Sequence, residues 1–282
     1  MAFIETNEEA GYFQDMKKGV TDAAKAADVT LDVYNANSDP AKQVQAIQTY
    51  VSQGYKALLV SPIDENGLVD ALQAAHDQGV KTIIIDSDMS GPEVDLSVGT
   101  DNSAAAVIAG KWLIDWQKTQ PDMKDLQIGV IGALTSVPQN KRKDSFVSTI
   151  APTGAKVLQT VNGNNVQATA QSAAQALFTA QPSMNLLYAT GEPALIGAVA
   201  GQRAASSKVK IFGWDLSPSA IQGIDDGSVI GVVQQTPGKE GQIAINSAVT
   251  LLSGGTTEKH ISTSVTVVTK ADVDDYRALY GS

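Results

Sequence analysis

Two strand-like apolar runs each finish in an acidic residue. Thr82-Ile83-Ile84-Ile85 leads straight into Asp86, and Val209-Lys210-Ile211-Phe212-Gly213 leads into Trp214-Asp215. In an open α/β sheet, ligands occupy the crevice outside the carboxyl ends of the strands. A carboxylate placed there accepts hydrogen bonds from neighbouring hydroxyls through two oxygens, and a flat indole packs against the C–H face of a sugar or polyol. Two carboxylates and one indole are therefore groups that grip a polyhydroxylated molecule. The chemistry they suggest is binding rather than turnover.

Other chemistries find little support. No Walker A motif, G-x-S-x-G elbow or G-x-G-x-x-G fingerprint occurs. Cysteine is absent, which excludes disulfides, zinc–thiolate sites and cysteine nucleophiles. Of the two histidines, His76 reads as a surface residue near a helix end and His260 as a loop residue, so no histidine-based catalytic arrangement stands out. Asp86-Ser87-Asp88-Met89-Ser90-Gly91 opens like a calcium loop, but Ser97 stands where such a loop needs a glutamate. No enzyme activity, cofactor or metal is expected.

The elements that must position Asp86 and Asp215 follow from the pattern of the 282 residues, 43% hydrophobic and 18% charged, enough for one large core or two ordinary ones. Short β-rich runs alternate with helix-period segments, which predicts an α/β fold of parallel sheets with crossover helices. Strands are expected at 2–6, 31–34, 57–60, 81–85 and 96–99, with helices at 12–27, 40–53 and 65–78. Asp39-Pro40 is a cap and first-turn pair for the second of these helices.

After Asp101-Asn102 the same grammar restarts. Helices are expected at 104–117, 140–150, 166–180, 193–205, 218–224, 239–252 and 271–279, and strands at 127–131, 156–161, 186–189, 209–212, 229–234 and 265–268. Two βα runs of similar size predict two Rossmann-like lobes, and nothing between them looks like a flexible linker. A ligand is expected between the lobes. No apolar run reaches the roughly 18 residues of a membrane span. The formal net charge of −10 repels phosphate backbones and disfavours nucleic acid.

Several short motifs, in order along nearly the whole chain, resemble the type I periplasmic binding proteins of the ribose-binding kind, the solute receptors of bacterial sugar ABC transporters. They are Gly11-Tyr12-Phe13, Asn37-Ser38-Asp39-Pro40-Ala41-Lys42-Gln43, Ser61-Pro62, Asp86, Gly99-Thr100-Asp101-Asn102, Arg142 with Phe146, Gly213-Trp214-Asp215 and Gln234-Gln235-Thr236-Pro237. The resemblance implies two lobes joined by three hinge crossings, an N-terminal lobe of 1–100 plus 236–263 and a C-terminal lobe of 101–235 plus 264–282. It implies a receptor that closes on a neutral monosaccharide or sugar alcohol and delivers it to a membrane permease. It further implies a monomer, located in the periplasm and represented here without its leader.

By the same resemblance, Tyr12 and Phe13 match paired aromatics that sandwich the sugar ring, and Trp214 the aromatic on its other face. Asp86 and Asp215 match the hydroxyl-binding carboxylates, Arg142 a donor to ring or hydroxyl oxygens, and Gln235 an amide near the hinge. Ser87, Asn140, Asn165 and Glu192 complete the candidate ligand-binding set. The family's Asn before the paired aromatics is Ala10 here, its Arg after the first carboxylate is Ser87, a further Asn is Gly191, and a single aromatic falls near Asn165. These departures point away from ribose itself and leave other aldoses or acyclic sugar alcohols open.

Each assignment has a plainer reading. Asp86 alone also reads as a cap or a solvated loop acid. Lys141-Arg142-Lys143-Asp144 also reads as a solvated charge run. Trp214 also reads as a core residue, whereas Trp112 and Trp116, at i and i+4, read as packing within a lobe. The alternative function on this fold is the effector domain of a lactose-repressor-type regulator, which needs a DNA-binding segment ahead of residue 1; the acidic surface stands against it.

Overall fold

A computed structural model describes residues 1–8, 11–87, 89 and 91–280. Ala10, and Asp88 and Ser90 of the calcium-like loop, lie outside the described residues. The chain divides into two compact units, Met1–Asp101 with Thr236–Ser264 and Asn102–Gln235 with Val265–Ser282, so it passes from one to the other three times.

In the first unit the strands are β1 (Ala2–Glu5), β2 (Asp32–Asn35), β3 (Ala57–Val60), β4 (Lys81–Ile85) and β5 (Leu96–Thr100). They alternate with helices α1 (Gly11–Ala26), α2 (Pro40–Ser52) and α3 (Glu65–Asp77). In the second unit come α4 (Asn102–Lys118), β6 (Gln127–Gly132), α5 (Val137–Ile150), β7 (Lys156–Asn162), α6 (Gln167–Ala180), β8 (Leu186–Ala189), α7 (Glu192–Ala204), β9 (Lys210–Trp214), α8 (Pro218–Asp226) and β10 (Val229–Gln234). The chain then returns to the first unit as α9 (Pro237–Leu252) and β11 (His260–Thr263), and ends in the second with β12 (Thr266–Val268) and a one-turn α10 (Arg277–Tyr280).

The first sheet has the order β11-β5-β4-β3-β1-β2 and is parallel throughout. The second repeats it as β12-β10-β9-β8-β6-β7, parallel except for β12, which pairs antiparallel with β10. Helices cover both faces of each sheet, so central strands such as β3 (Ala57-Leu58-Leu59-Val60) and β8 (Leu186-Leu187-Tyr188-Ala189) are continuous apolar runs, whereas edge strands β2 and β7 mix in polar, exposed positions. In β4, Ile83 and Ile85 pack in one core layer and Ile84 in the opposite layer. In β9, Ile211 faces one layer while Phe212 and Trp214 face the other.

Several expectations are corrected. Helix α5 begins at Val137, not Asn140, because Pro138 fits a first turn that needs no N–H and the Ser136 hydroxyl accepts from the Gln139 N–H at 3.4 Å. His260 is the first residue of edge strand β11, not a loop residue, and its Nδ1 lies 2.8 Å from Ser97 Oγ on β5. The expected helix at 271–279 is a 3-10 turn, Val273–Tyr276, followed by α10. Asp272 turns its side chain back to the Thr269 N–H and hydroxyl, at 3.1 and 2.7 Å, a local bond that competes with helix propagation. Trp112 stacks on Phe212 at 5.0 Å and on Trp116 at 6.4 Å, within the second unit.

Helices α1 and α9 approach closely through glycine. A Cβ added at Gly19 would lie 2.0 Å from the Gly238 carbonyl oxygen, and one at Gly241 would lie 2.7 Å from Val20. Alanine in mid-helix normally gains about 1 kcal/mol over glycine, but backbone cannot yield as a flexible side chain can. Overpacking costs about 1–3 kcal/mol, so the clash decides the sign. Gly19→Ala is expected to lower the melting temperature by several degrees, measured by calorimetry; an unchanged or raised value would mean the two helices separate freely.

Candidate functional site

Each unit gathers a polar cluster at the carboxyl ends of its parallel strands. In the first, Asp86 is the residue after β4 and has φ 65°, a left-handed conformation that Asp tolerates better than most side chains. Its N–H donates to the Val98 carbonyl at 2.8 Å. The turn passes over Gly99, where a Cβ would lie 3.0 Å from the Ser87 nitrogen. The Tyr12 hydroxyl lies 2.6 Å from Asp86 Oδ1 and 3.2 Å from Glu240 Oε2. Glu240, in the first turn of α9, is fully buried, and its Oε1 accepts from the hydroxyls of Thr263 at 2.7 Å and Thr100 at 3.3 Å. Burial, then the charge of Asp86, holds the Glu240 carboxyl well above the ordinary carboxylate range.

The expected Tyr12–Phe13 sandwich takes a different form. Tyr12 is buried among Met16 and Val20 and works through its hydroxyl, while Phe13 is half-buried and meets the Tyr12 ring edge-on at 5.3 Å. Ser87 is turned away: its hydroxyl donates to Glu65 on α3 and accepts from the Met89 N–H at 2.9 Å. At the end of β1, buried Glu5 pairs with Lys17 at 3.4 Å, and burial pushes its carboxyl up to about 7.

In the second unit Asp215 repeats the geometry of Asp86. It follows β9 with φ 64°, and its N–H donates to the Val233 carbonyl at 3.0 Å. The Gln235 amide donates from Nε2 to both Asp215 oxygens, at 2.9 and 3.2 Å, and Arg142 Nη1 lies 3.8 Å from Oδ2. Burial pushes the Asp215 carboxyl up, opposed by Arg142 and Gln235. Gln235 Oε1 is buried and has no hydrogen-bond partner among the described residues.

Arg142 belongs to no solvated charge run; it is 7% exposed, on the buried face of α5. Its Nε donates to Asn102 Oδ1 at 2.7 Å and its Nη1 to the Thr190 carbonyl at 3.1 Å. The guanidinium lies over the Trp214 ring, 4.0 Å from the centroid. Trp214 itself is 0% exposed, with Nε1 donating to the Tyr188 hydroxyl at 2.6 Å. The expected stacking surface for a sugar is therefore corrected: the indole is the floor beneath Arg142. Strand parity is the reason, since Trp214 shares its face of β9 with core residue Phe212.

Asn140 and Asn165 brace loops. Asn140 Nδ2 donates to the Leu134 carbonyl at 2.8 Å, and Asn165 Oδ1 accepts from Gln139 Nε2 at 3.0 Å. Gln139, missed from sequence, ties β6 to β8 by accepting from the Ala133 N–H at 2.8 Å and the Thr190 hydroxyl at 2.9 Å. A Cβ at Gly191 would lie 2.9 Å from its amide, which explains a glycine there. Glu192 opens α7, and burial together with the charge of Asp215 pushes its carboxyl up to about 7. In each unit, buried and half-buried carboxyls at strand ends lie among donors and hydroxyls, groups that can exchange hydrogen bonds with a neutral polar molecule.

The periplasmic binding protein domain family matches residues 1–256. The chain belongs to that family. As a periplasmic binding protein domain it is 25% identical over 244 residues to the ribose import binding protein of Escherichia coli, covering 86% of this chain and 81% of that protein. It is 26% identical over 245 residues to the D-ribose/D-allose-binding protein of Pseudomonas aeruginosa, covering 82% and 75%. Its fold is shared with the crystal structure of an ABC transporter periplasmic solute binding protein from Actinobacillus succinogenes with bound D-allose, at TM-score 0.89 and 23% identity, covering 98% of this chain and 99% of that one.

The raised Glu192 carboxyl has a sign that can be checked. Between its ordinary 4.5 and about 7 the folded chain keeps a proton that the unfolded chain releases. Its contribution to stability is complete below the ordinary value and is lost as pH rises through about 7. Glu192→Gln removes that loss, so the melting temperature of the variant should rise relative to the unmodified protein across this window. Parallel curves for the two proteins would show that Glu192 titrates as an ordinary surface acid.

Proposed function

We propose that this chain is an extracytoplasmic receptor that captures a neutral monosaccharide or sugar alcohol and passes it to a membrane ABC permease. The observation that carries the reading is the buried Arg142–Asp215–Gln235 set, in which the Gln235 Oε1 acceptor has no partner among the described residues. A buried acceptor left unmatched costs about 1–3 kcal/mol, and a ligand hydroxyl supplies the missing proton. Asp86 is the matching acceptor in the first unit. Import binding proteins among the relatives favour the receptor over a transcription regulator.

In this reading Asp86, Arg142, Asp215, Gln235 and Glu192 contact ligand hydroxyls and ring oxygens, and Phe13 covers an apolar C–H face. Tyr12 and Trp214 act from beneath, and Ser87, Asn140 and Asn165 hold the loops that carry the others. The second unit sets one cation against its carboxylates, and in the first Glu240 lies among the hydroxyls of Tyr12, Thr100 and Thr263 beside the carboxylate of Asp86, surroundings that disfavour an anionic ligand. Each charge-assisted hydrogen bond contributes roughly 1.5–3 kcal/mol, and a micromolar Kd corresponds to about 8 kcal/mol, so a few such bonds suffice. An analogue lacking one matched hydroxyl strands a desolvated carboxylate, which is how such a site discriminates. The role is capture, with no bond made or broken.

A thermal-shift panel of aldoses, ketoses and sugar alcohols tests the class, because binding to the folded state alone raises the melting temperature. A shift confined to one stereochemical group is expected. For that ligand, Asp86→Ala and Arg142→Ala should each weaken Kd by at least about tenfold in titration calorimetry, the loss of about one charged hydrogen bond. No shift with any sugar or polyol, or unchanged affinity in both variants, would overturn the assignment.

A further inference from the structure

The Tyr12 hydroxyl carries one proton and faces two carboxyl oxygens, Asp86 Oδ1 at 2.6 Å and Glu240 Oε2 at 3.2 Å. A phenol donates once and accepts through its lone pairs, so both carboxylates cannot take the same proton. The other Glu240 oxygen is already served by Thr263 at 2.7 Å and Thr100 at 3.3 Å. A proton on Glu240 Oε2 resolves the conflict. Oε2–H donates to Tyr12 Oη, Tyr12 O–H donates to Asp86 Oδ1, and the two threonines donate to Oε1. We infer that Glu240 is a positioning residue of the sugar site, donating its carboxyl proton to Tyr12 so that the phenol is committed to Asp86 and the Asp86 carboxylate is held ready for a ligand hydroxyl. This inference rests on the receptor reading only for the last step, the use of Asp86 by ligand.

Burial and the charge of Asp86 favour the neutral acid at Glu240 and outweigh the hydroxyls of Thr263, Tyr12 and Thr100, which favour the carboxylate. Helix α1 presents Tyr12, and Asp15, which accepts from the Gly238 N–H at 3.0 Å in the first turn of α9. The end of β4 presents Asp86, β5 and β11 present the hydroxyls of Thr100 and Thr263, and β3 presents only apolar residues. On α9 itself Lys239 is exposed, and no cation lies within bonding distance of the Glu240 carboxyl among the described residues. A fully buried carboxylate without a cation is costly, and it takes up a proton instead. Burial and the charge of Asp86 act in that direction.

Loss of the proton would put a second negative charge behind Asp86 and leave one phenolic proton for two carboxylates. Affinity for a sugar should therefore fall as pH rises through the Glu240 titration. Stability should fall over the same range, because the folded state holds a proton that the unfolded chain gives up above the ordinary carboxylate range. Glutamine reproduces the neutral acid: its Nε2 donates to Tyr12 and its Oε1 accepts from the threonines.

The experiment compares the unmodified chain, Glu240→Gln and Glu240→Ala from about pH 6 to about pH 9, a window above the ordinary carboxylate value. Without sugar, the melting temperature of the unmodified chain should fall with pH and that of Glu240→Gln should fall less. With D-ribose or D-allose as probe, Kd of the unmodified chain should weaken roughly tenfold across the window, about one lost hydrogen bond to a charged group. Kd of Glu240→Gln should stay level and match the unmodified chain at the acidic end, while Glu240→Ala is roughly tenfold weaker at every pH. Superimposable melting curves for the unmodified chain and Glu240→Gln would overturn the proton on Glu240, with or without a sugar that binds. Different melting curves with no binding of either sugar would uphold the proton and exclude these two sugars as the ligand, whereas no binding of any aldose, ketose or sugar alcohol would place the failure in the receptor reading. Glu240→Gln binding as weakly as Glu240→Ala would overturn the positioning role.

Discussion

Parallel pairing makes every strand of a sheet finish at the same edge. Because helices cover both faces, the central strands are mostly apolar along their length, and charged side chains collect where the strands stop. That constraint operates twice here, in sheets ordered β11-β5-β4-β3-β1-β2 and β12-β10-β9-β8-β6-β7. In both, the strand fourth in its series ends in an aspartate with positive φ, 65° at Asp86 and 64° at Asp215. In both, the aspartate N–H bonds back to the neighbouring strand, at Val98 and at Val233. A left-handed residue costs on the order of 1 kcal/mol, and here it carries a carboxylate just past the carboxyl end of its strand.

The two units then solve one electrostatic problem in different ways. A carboxylate taken out of water costs several kcal/mol unless it is paired. The second unit pairs Asp215 with Arg142 and with the Gln235 amide. Arg142 is itself steadied from below by Trp214, a contact of the cation–π kind that contributes about 0.5–2 kcal/mol. The aromatic layer of Trp214, Tyr188, Phe146 and Phe212 thus acts as a rigid bed for a charge. The first unit has no arginine in its cluster; it surrounds its buried acid with hydroxyls from Tyr12, Thr100 and Thr263.

Alternating βα grammar, the Asp39 cap and the two strand-terminal aspartates were all legible in the residues themselves. Local signals carry them: apolar runs of strand length, first-turn prolines, and an acid where a run stops. Trp214 was misread although the signal was present, since counting by twos along Lys210–Trp214 puts it on the same face as Phe212. Only the resemblance singled Arg142 out from its charged neighbours, because helical phase inside a four-residue polar run depends on where the helix begins. That start lay at Val137, not Asn140. Glu240 and Thr263 were invisible for a different reason: they meet Tyr12 and Thr100 only through pairings of distant segments, β11 on β5 and α9 against α1.

The division of the first unit between Met1–Asp101 and Thr236–Ser264 also sets an order of events during synthesis. Chains emerge N-terminus first, and domains generally fold as units. Five strands of the first sheet leave the ribosome well before α9, so the face that α9 covers stays open while Asn102–Gln235 is being made. The second unit, by contrast, lacks only β12 and the C-terminal turns when its long segment is complete. The part begun first is therefore closed by a helix made late, and Glu240 arrives with that helix.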